Sequence, residues 1–345
     1  MRHSLTLLKI RLNKCTSRAL LTLLFSFSPL FVYAHNDESH VPVQPVTEHA
    51  DNAGVWLAKM SHAMKSLNYS VSFVLLKPGI DVQPYLFRHA VTEDGIEMEQ
   101  LNLLNGPGRE VVRIGDKVSY FEPNVPPYSL LSSAINGPFP SAFLDNPEKL
   151  SDGYEFVMVG RSRISGRAAQ QIRVISKDKS RFGLNIWLDQ QTGLLLKLNM
   201  FNLEAKLIEQ IQVTGLQVTE KPDIFFSKIA EDMLPEIVTY QSNKRHDSAW
   251  KINYLPAGMN LIKRDLRRLS GTGEIVEYIM LSDGLVDISV YLREIDDAKP
   301  LDNLVGKVQS DTLLTVQHGE LNVTVIGKLP ATTANAIATS IQKVN

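Results

Sequence analysis

Cysteine is almost missing from this chain: of 345 residues only Cys15 carries a thiol. It stands before the apolar run Ala19 to Val32, in a leader whose removal leaves a mature chain with nothing to bridge and no thiol nucleophile. Asn13-Lys14 is not the small-residue context of a lipoprotein anchor. Long hydrophobic runs are missing too. Ala19 to Val32 is too short for a bilayer, and with Arg2, Lys9, Arg11, Lys14 and Arg18 ahead of it and Val32-Tyr33-Ala34 behind, it predicts an export signal, residues 1–34, cleaved after Ala34. An excess of one charge is the third absence, with 36 basic against 37 acidic residues. Losing the five leader cations leaves about −6, which excludes bulk nucleic-acid binding and requires any basic site to be local.

Catalytic signatures are missing as well. There is no GxxxxGK[ST], HExxH or GxSxG, and His246, Asp247 and Ser248 are sequence neighbours that cannot aim at one another as a triad. Gly271-Thr272-Gly273 opens like a dinucleotide fingerprint, but Val276 takes the third glycine's place and a strand follows, so it reads as a hairpin loop. His89 is alone in its strand and reads as the satisfied partner of a polar neighbour rather than a general base. His35, Asp37, Glu38 and His40 fall in a polar arm, residues 35–51, without the fixed geometry a metal requires. No enzyme, cofactor or metal is therefore assigned.

What the chain does have is alternation. Leu103 to Pro123 reads as a β-hairpin in which Gly115-Asp116 supplies a primed turn, setting Val111 opposite Tyr120 and Arg113 opposite Val118. Before it, Trp56, Met60, Ala63, Met64 and Leu67 form one helical stripe, either a core face or a ligand wall. Extended segments at 69–76, 83–91 and 97–104 precede the hairpin; others at 154–161, 169–176, 182–188, 194–202 and 207–218 continue one long antiparallel sheet, residues 52–221. The insertion Asn124 to Ser151 holds five prolines yet keeps Tyr128, Leu130, Leu131, Ile135, Phe139, Phe143 and Leu144, the composition of a cover over a cleft. Arg161, Arg163, Arg167, Arg173, Lys177, Lys179 and Arg181 form a cationic zone, either a solvated strand face or a site for anionic head groups or an acidic peptide.

Residues 222–249 have weak periodicity and read as a linker; residues 250–345 read as a small α+β domain. In that domain strands are expected at 259–269, 275–281, 286–293, 313–317 and 321–326, with a short helix carrying Leu301, Leu304, Val305 and Val308 and a final helix opened by Pro330. Lys263, Arg264, Arg267 and Arg268 cluster on one strand, either a solvated edge or a contact for an acidic segment.

Short motifs spread along the mature chain add a resemblance. Ser66-Leu67-Asn68-Tyr69, Phe87-Arg88-His89-Ala90, Gly106-Pro107, Arg109-Glu110-Val111-Val112, Ser119-Tyr120-Phe121-Glu122-Pro123 and Val159-Gly160-Arg161-Ser162-Arg163-Ile164 resemble the RseB/MucB family. So do Trp187-Leu188-Asp189, Leu255-Pro256-Ala257-Gly258, Ser282-Asp283-Gly284-Leu285 and Ile326-Gly327-Lys328-Leu329-Pro330. Asn105 and Gly108 depart from it, standing where the family often has an acidic and a basic residue around Gly-Pro. The resemblance implies a large domain like the lipoprotein carriers LolA and LolB, an unclosed β-barrel with helices in its mouth, followed by a small domain. It further implies a negative regulator of the sigma-E envelope stress response that binds the periplasmic domain of the anti-sigma factor RseA and shields it from proteolysis. Lipopolysaccharide, lipid or lipoprotein acyl chains are the implied signal, and a homodimer is compatible with it.

On this reading Trp56, Met60, Met64, Tyr128, Leu131, Phe139 and Phe143 wall an amphiphile cavity. Arg161, Arg163, Lys263, Arg264, Arg267 and Arg268 meet head group or partner. A lipid carrier of the LolA type is the alternative; the second domain argues against it, because a carrier needs only the cavity.

Overall fold

The computed structural model describes residues 52–143, 147–238, 248–269, 273–295, 304–308 and 310–344. The leader, the arm from His35 to Asp51 and Leu144 lie outside them, as do Gly271, Thr272 and Leu301.

Helix α1 (Ala53–Ser66) starts where the Asn52 side chain accepts the Gly54 amide at 2.8 Å, and it ends at Leu67, whose backbone is extended. Its buried face is Ala53, Leu57, Met60, Ala63 and Met64. Eleven strands form one antiparallel sheet: β1 (Asn68–Leu76), β2 (Gln83–Val91), β3 (Glu97–Leu103), β4 (Arg109–Ile114), β5 (Lys117–Phe121), β6 (Tyr128–Leu131), β7 (Tyr154–Ile164), β8 (Arg167–Ser176), β9 (Gly183–Asp189), β10 (Leu195–Phe201) and β11 (Leu207–Thr219). Their order is β6-β5-β4-β3-β2-β1-β11-β10-β9-β8-β7, so β6 and β7 are the edges and the barrel is unclosed.

The β4–β5 hairpin has the register the sequence predicts, with Val111 opposite Tyr120, Arg113 opposite Val118 and Gly115 at φ 56°. In β1 burial alternates strictly, Tyr69, Val71, Phe73 and Leu75 turning to the core. Helix α1 touches both β2 and β7, which lie six strand steps apart. In a flat sheet that span is about 29 Å at ~4.8 Å per step, more than twice a helix diameter, so the sheet must curl around the helix. Each fully buried side chain of α1, Met60 foremost, then contributes about 1.5–3 kcal/mol.

The insertion between β5 and β7 supplies β6 and two 3-10 turns, Ser141–Phe143 and Pro147–Asp152, the second packed on α1. On the opposite face of the sheet the chain after β11 is tied down. Asp223 pairs with Arg88 at 3.1 Å, Phe226 is buried, and Ser129 on β6 forms a parallel bridge with Ile237 while its hydroxyl donates to the Pro235 carbonyl at 2.7 Å. The described part of the expected linker is thus a strap, and it covers the otherwise unpaired edge of β6.

The C-terminal part holds β12 (Trp250–Ile252), β13 (Asn260–Arg268), β14 (Ile275–Ser282), β15 (Asp287–Glu294), β16 (Leu304–Val308), β17 (Asp311–His318), β18 (Leu321–Gly327), helix α2 (Ala331–Thr339) and β19 (Ile341–Lys343). Six strands pair in the order β13-β14-β15-β18-β17-β16, and β12 pairs with β19 as a separate ribbon. One expectation is corrected here. Residues 304–308 form an edge strand paired with β17, not a helix: the apolar positions 304, 305 and 308 fit a helical stripe, but pairing from Leu304 with Thr315 to Val308 with Asp311 gives this segment a hydrogen-bonding neighbour. Leu304 and Val305 then face solvent, 55 and 61 % exposed, where a helix stripe would have buried them.

Candidate functional site

The inner face of the curled sheet is laid out in rows fixed by strand register. One runs Val71, Phe87, Leu101, Val111, Tyr120, Tyr128; the next runs Phe73, Tyr85, Leu103, Arg109. A third ends in charge: Tyr69 stacks on His89 at 5.2 Å, and Glu99 beside it holds the buried Arg113 at 2.7 Å together with Glu97. Burial lowers the His89 pKa, and its Nδ1 lies 2.7 Å from the Leu67 carbonyl, so this histidine is a satisfied structural group.

Phe139 descends from the insertion onto the rows, 4.8 Å from the Phe73 ring and 6.1 Å from Phe87. Beneath it remains an apolar void of about 20 Å³ lined by Met64, Tyr69, Val71, Phe87 and Leu194, room for about one water. A separate cleft of about 420 Å³, within the range of small-molecule sites, opens between the sheet and residues 136–138. Its floor is Leu75, Tyr85, Leu101, Leu103 and Val111, its roof Asn136, Gly137 and Pro138, and its polar wall Lys77, Arg109, Glu209 and Lys328. Polar groups, Gln83 among them, make up most of the exposed lining, so three cations stand over a small apolar floor, a lining that suits an anionic head carrying an apolar tail.

The wall joins the two sheets. Lys328, between β18 and α2, donates to Glu209 on β11 at 2.8 Å; Ser310 donates to the same carboxylate at 2.9 Å and Lys77 lies 3.6 Å away. A second junction surrounds Arg181, whose side chain is wholly buried: Asp283 lies 3.1 Å from it, and it donates to the carbonyls of Ala257 at 2.7 Å and Gly153 at 3.2 Å. A side chain on Gly153 would meet the Ala257 carbonyl at 2.6 Å, which is why this approach requires glycine.

Burial alone would raise the Glu209 carboxyl, but Lys328, Lys77 and the Ser310 hydroxyl outweigh it and hold it below the ordinary range. Burial likewise opposes ionisation of Asp178, and the Ser180 hydroxyl, the Ala257 amide and the Ser176 hydroxyl hold it far below. A carboxylate depressed in the folded state adds stability that is complete above its unfolded value, near 4, and is lost as pH falls through the folded value. Asp311, raised by burial, acts in the opposite sense. Melting temperature should therefore hold from pH 7 to about 5 and fall below about 4, with Glu209→Gln removing part of that fall; a melting temperature indifferent to acid would contradict this balance.

The structure scatters the residues singled out in the sequence. Met64 and Phe139 meet at the void; Met60 and Phe143 are wholly buried in the core. Trp56 is half-buried, with the Lys59 ammonium 5.1 Å from its ring centre. Tyr128 stacks on Tyr120 at 5.0 Å, and Leu131, at the end of the same strand, is 69 % exposed. Arg161 and Arg163 are exposed on β7, the opposite edge of the sheet from β6. Within the cationic zone, Arg167 pairs with Asp189 at 2.9 Å and Arg181 is interior. On β13, Arg264 pairs with Glu277 at 3.2 Å, Arg267 lies 3.4 Å above the Tyr278 ring and Lys263 pairs with Asp265 at 3.2 Å. Lys77, Arg109, Glu209 and Lys328 carry no sequence signal: the packing of the two sheets brings a strand end, two strand positions and a loop together.

Comparison with known proteins agrees across both sheets. Residues 52–238 match the MucB/RseB N-terminal domain and residues 244–342 the MucB/RseB C-terminal domain. The sigma-E factor regulatory protein RseB of Haemophilus influenzae is 30 % identical over 287 residues, 83 % of this chain and 90 % of that protein. The sigma factor AlgU regulatory protein MucB of Pseudomonas aeruginosa is 30 % identical over 308 residues, 86 % of this chain and 93 % of that one. The structure of the P. aeruginosa MucA/MucB complex aligns with a TM-score of 0.68 at 26 % identity, covering 85 % of this chain and 99 % of the other. With both domain models matched in order over nearly all of the described residues, the chain belongs to the MucB/RseB family.

Proposed function

We propose that the protein is a periplasmic, non-enzymatic negative regulator of a sigma-E-type envelope stress response. It binds the periplasmic segment of a membrane anti-sigma factor of the RseA kind and shields that segment from proteolysis. The observation that carries this reading is the likeness over both sheets to MucB in its complex with MucA. The cleft adds a second input: an amphiphile with its acyl chain on Leu101, Leu103 and Val111 and its anionic head at Lys77, Arg109 and Lys328 lowers the grip on the anti-sigma segment. The larger sheet takes the acyl chain, and residues 250–345 take the partner while lending Lys328 to the head-group site. The direct test uses the mature chain and the periplasmic segment of the same organism's anti-sigma factor. Specific binding with protection of the segment from its protease is expected; neither binding nor protection would remove the proposal.

β13 is the surface we assign to an acidic part of that partner. Arg264 is held by the buried Glu277 and Arg267 lies on the Tyr278 ring, whereas Lys263 pairs with Asp265 on its own strand at the surface, so the discriminating variant is Lys263→Glu with Arg268→Glu, both exposed. Exposed charges act weakly and are screened, so partner affinity should fall roughly 3- to 10-fold at low salt and less at high salt. Unchanged affinity with the fold intact would leave this strand a solvated edge.

A further inference from the structure

The cleft holds a carboxylate where an anionic ligand would itself need to be. Glu209 is 3 % exposed, and it occupies two of the three cleft cations, Lys328 at 2.8 Å and Lys77 at 3.6 Å. Lys77 and Glu209 belong to the large sheet, whereas Lys328 and Ser310 belong to the other half of the molecule. Asp311, next to Ser310, also faces Lys328 and Lys77, and the third cation, Arg109, is paired with Glu122 at 2.8 Å. One buried group therefore does two jobs, closing the contact between the halves and filling the cationic wall.

We propose that Glu209 is a built-in competitor for the ligand's head group: a phosphate that takes Lys328 and Lys77 displaces Glu209 and so loosens the contact between the two sheets. The inference rests on the reading of the cleft as an amphiphile site and adds how occupancy is transmitted. Lys328 is 30 % exposed and within reach of an entering anion, while Glu209 is not. A phosphate brings more charge and more acceptor oxygens than one carboxylate, so it wins the lysines. Glu209 is then left buried and unpaired, a state that is strongly unfavourable unless water enters the junction. A neutral amphiphile of the same chain length leaves Glu209 in place. Having no differential interaction with the closed and loosened states, it shifts nothing.

The test uses the whole mature chain, whose lack of thiols lets spin labels be placed cleanly at Glu204→Cys and Asn335→Cys, both exposed and on opposite sides of the junction. The probes are dodecyl phosphate and dodecyl maltoside, each below its micelle threshold. Dodecyl phosphate should lengthen or broaden the label distance at saturation, and dodecyl maltoside at equal occupancy should not. Glu209→Gln should bind dodecyl phosphate about tenfold tighter, the scale of one charge-assisted hydrogen bond no longer contested, and should show the broadened distance before ligand is added. Lys328→Met should lose the preference for phosphate over maltoside. Equal binding of both detergents with unmoved labels, or unchanged phosphate affinity in Glu209→Gln, would overturn the competitor while leaving the cleft as an acyl site. Failure of both detergents to bind would remove the acyl site itself, and the competitor with it.

Discussion

Arg181→Met should cost about 3–5 kcal/mol, the usual penalty for breaking a buried ion pair by removing one partner. Methionine replaces most of the volume, so the loss is electrostatic. It strands Asp283, whose side chain is 3 % exposed and keeps the Tyr154 hydroxyl at 2.8 Å and the amides of Leu285 and Val286 but no cation. The carbonyls of Gly153 and Ala257 lose their donor, and the Tyr154 ring loses a guanidinium 4.7 Å above it. At about 2–4 °C per kcal/mol the melting temperature should fall roughly 6–20 °C, and because the junction joins the two sheets, one thermal transition should separate into two. Adding Asp283→Asn should recover part of the loss, since it removes the stranded charge; an unshifted transition in Arg181→Met would mean that the junction holds nothing together.

Phe139→Ala should enlarge the proposed amphiphile site while lowering stability. The ring packs on Phe73 and Phe87 and lines the small void. It is only partly buried, so its removal should cost less than the ~3–5 kcal/mol of a fully buried phenylalanine. With the ring gone, an acyl chain on Leu101 and Val111 can extend toward Met64 and Val71. Three further methylenes at about 0.8 kcal/mol each correspond to roughly 50-fold in affinity for a long chain and little change for a short one. Calorimetric titration with a graded series of alkyl phosphates separates the cases. A lower melting temperature with no chain-length-dependent gain would show that Phe139 is core and the void is not continuous with the site.

These two residues also mark where the sequence could and could not be read. Period-two alternation and turn glycines are local, so the β4–β5 register and most strands were legible. The segment at 304–308 was not, because five residues with apolar positions at 304, 305 and 308 fit either period and tertiary pairing decided. Phe139 was legible as part of an apolar cover. Arg181 was misleading: it stands among seven cations in sequence, and only the close approach of Gly153 to Ala257 makes it an interior residue. The cleft cations were illegible for a different reason. Lys77, Arg109 and Lys328 come from the end of one strand, the start of another and a loop of the second sheet, and no spacing links them.

The central claim is that cleft and partner are coupled through one molecule, and a reciprocal titration tests it most directly. The mature chain is titrated with the anti-sigma periplasmic segment at zero and saturating dodecyl phosphate, and then with dodecyl phosphate at zero and saturating segment. A typical coupling of about 1–3 kcal/mol predicts that each weakens the other by the same factor, roughly 5- to 150-fold. Equal affinities in both directions, with both ligands demonstrably bound, would contradict the account and leave a partner-binding scaffold whose cleft has no say in it.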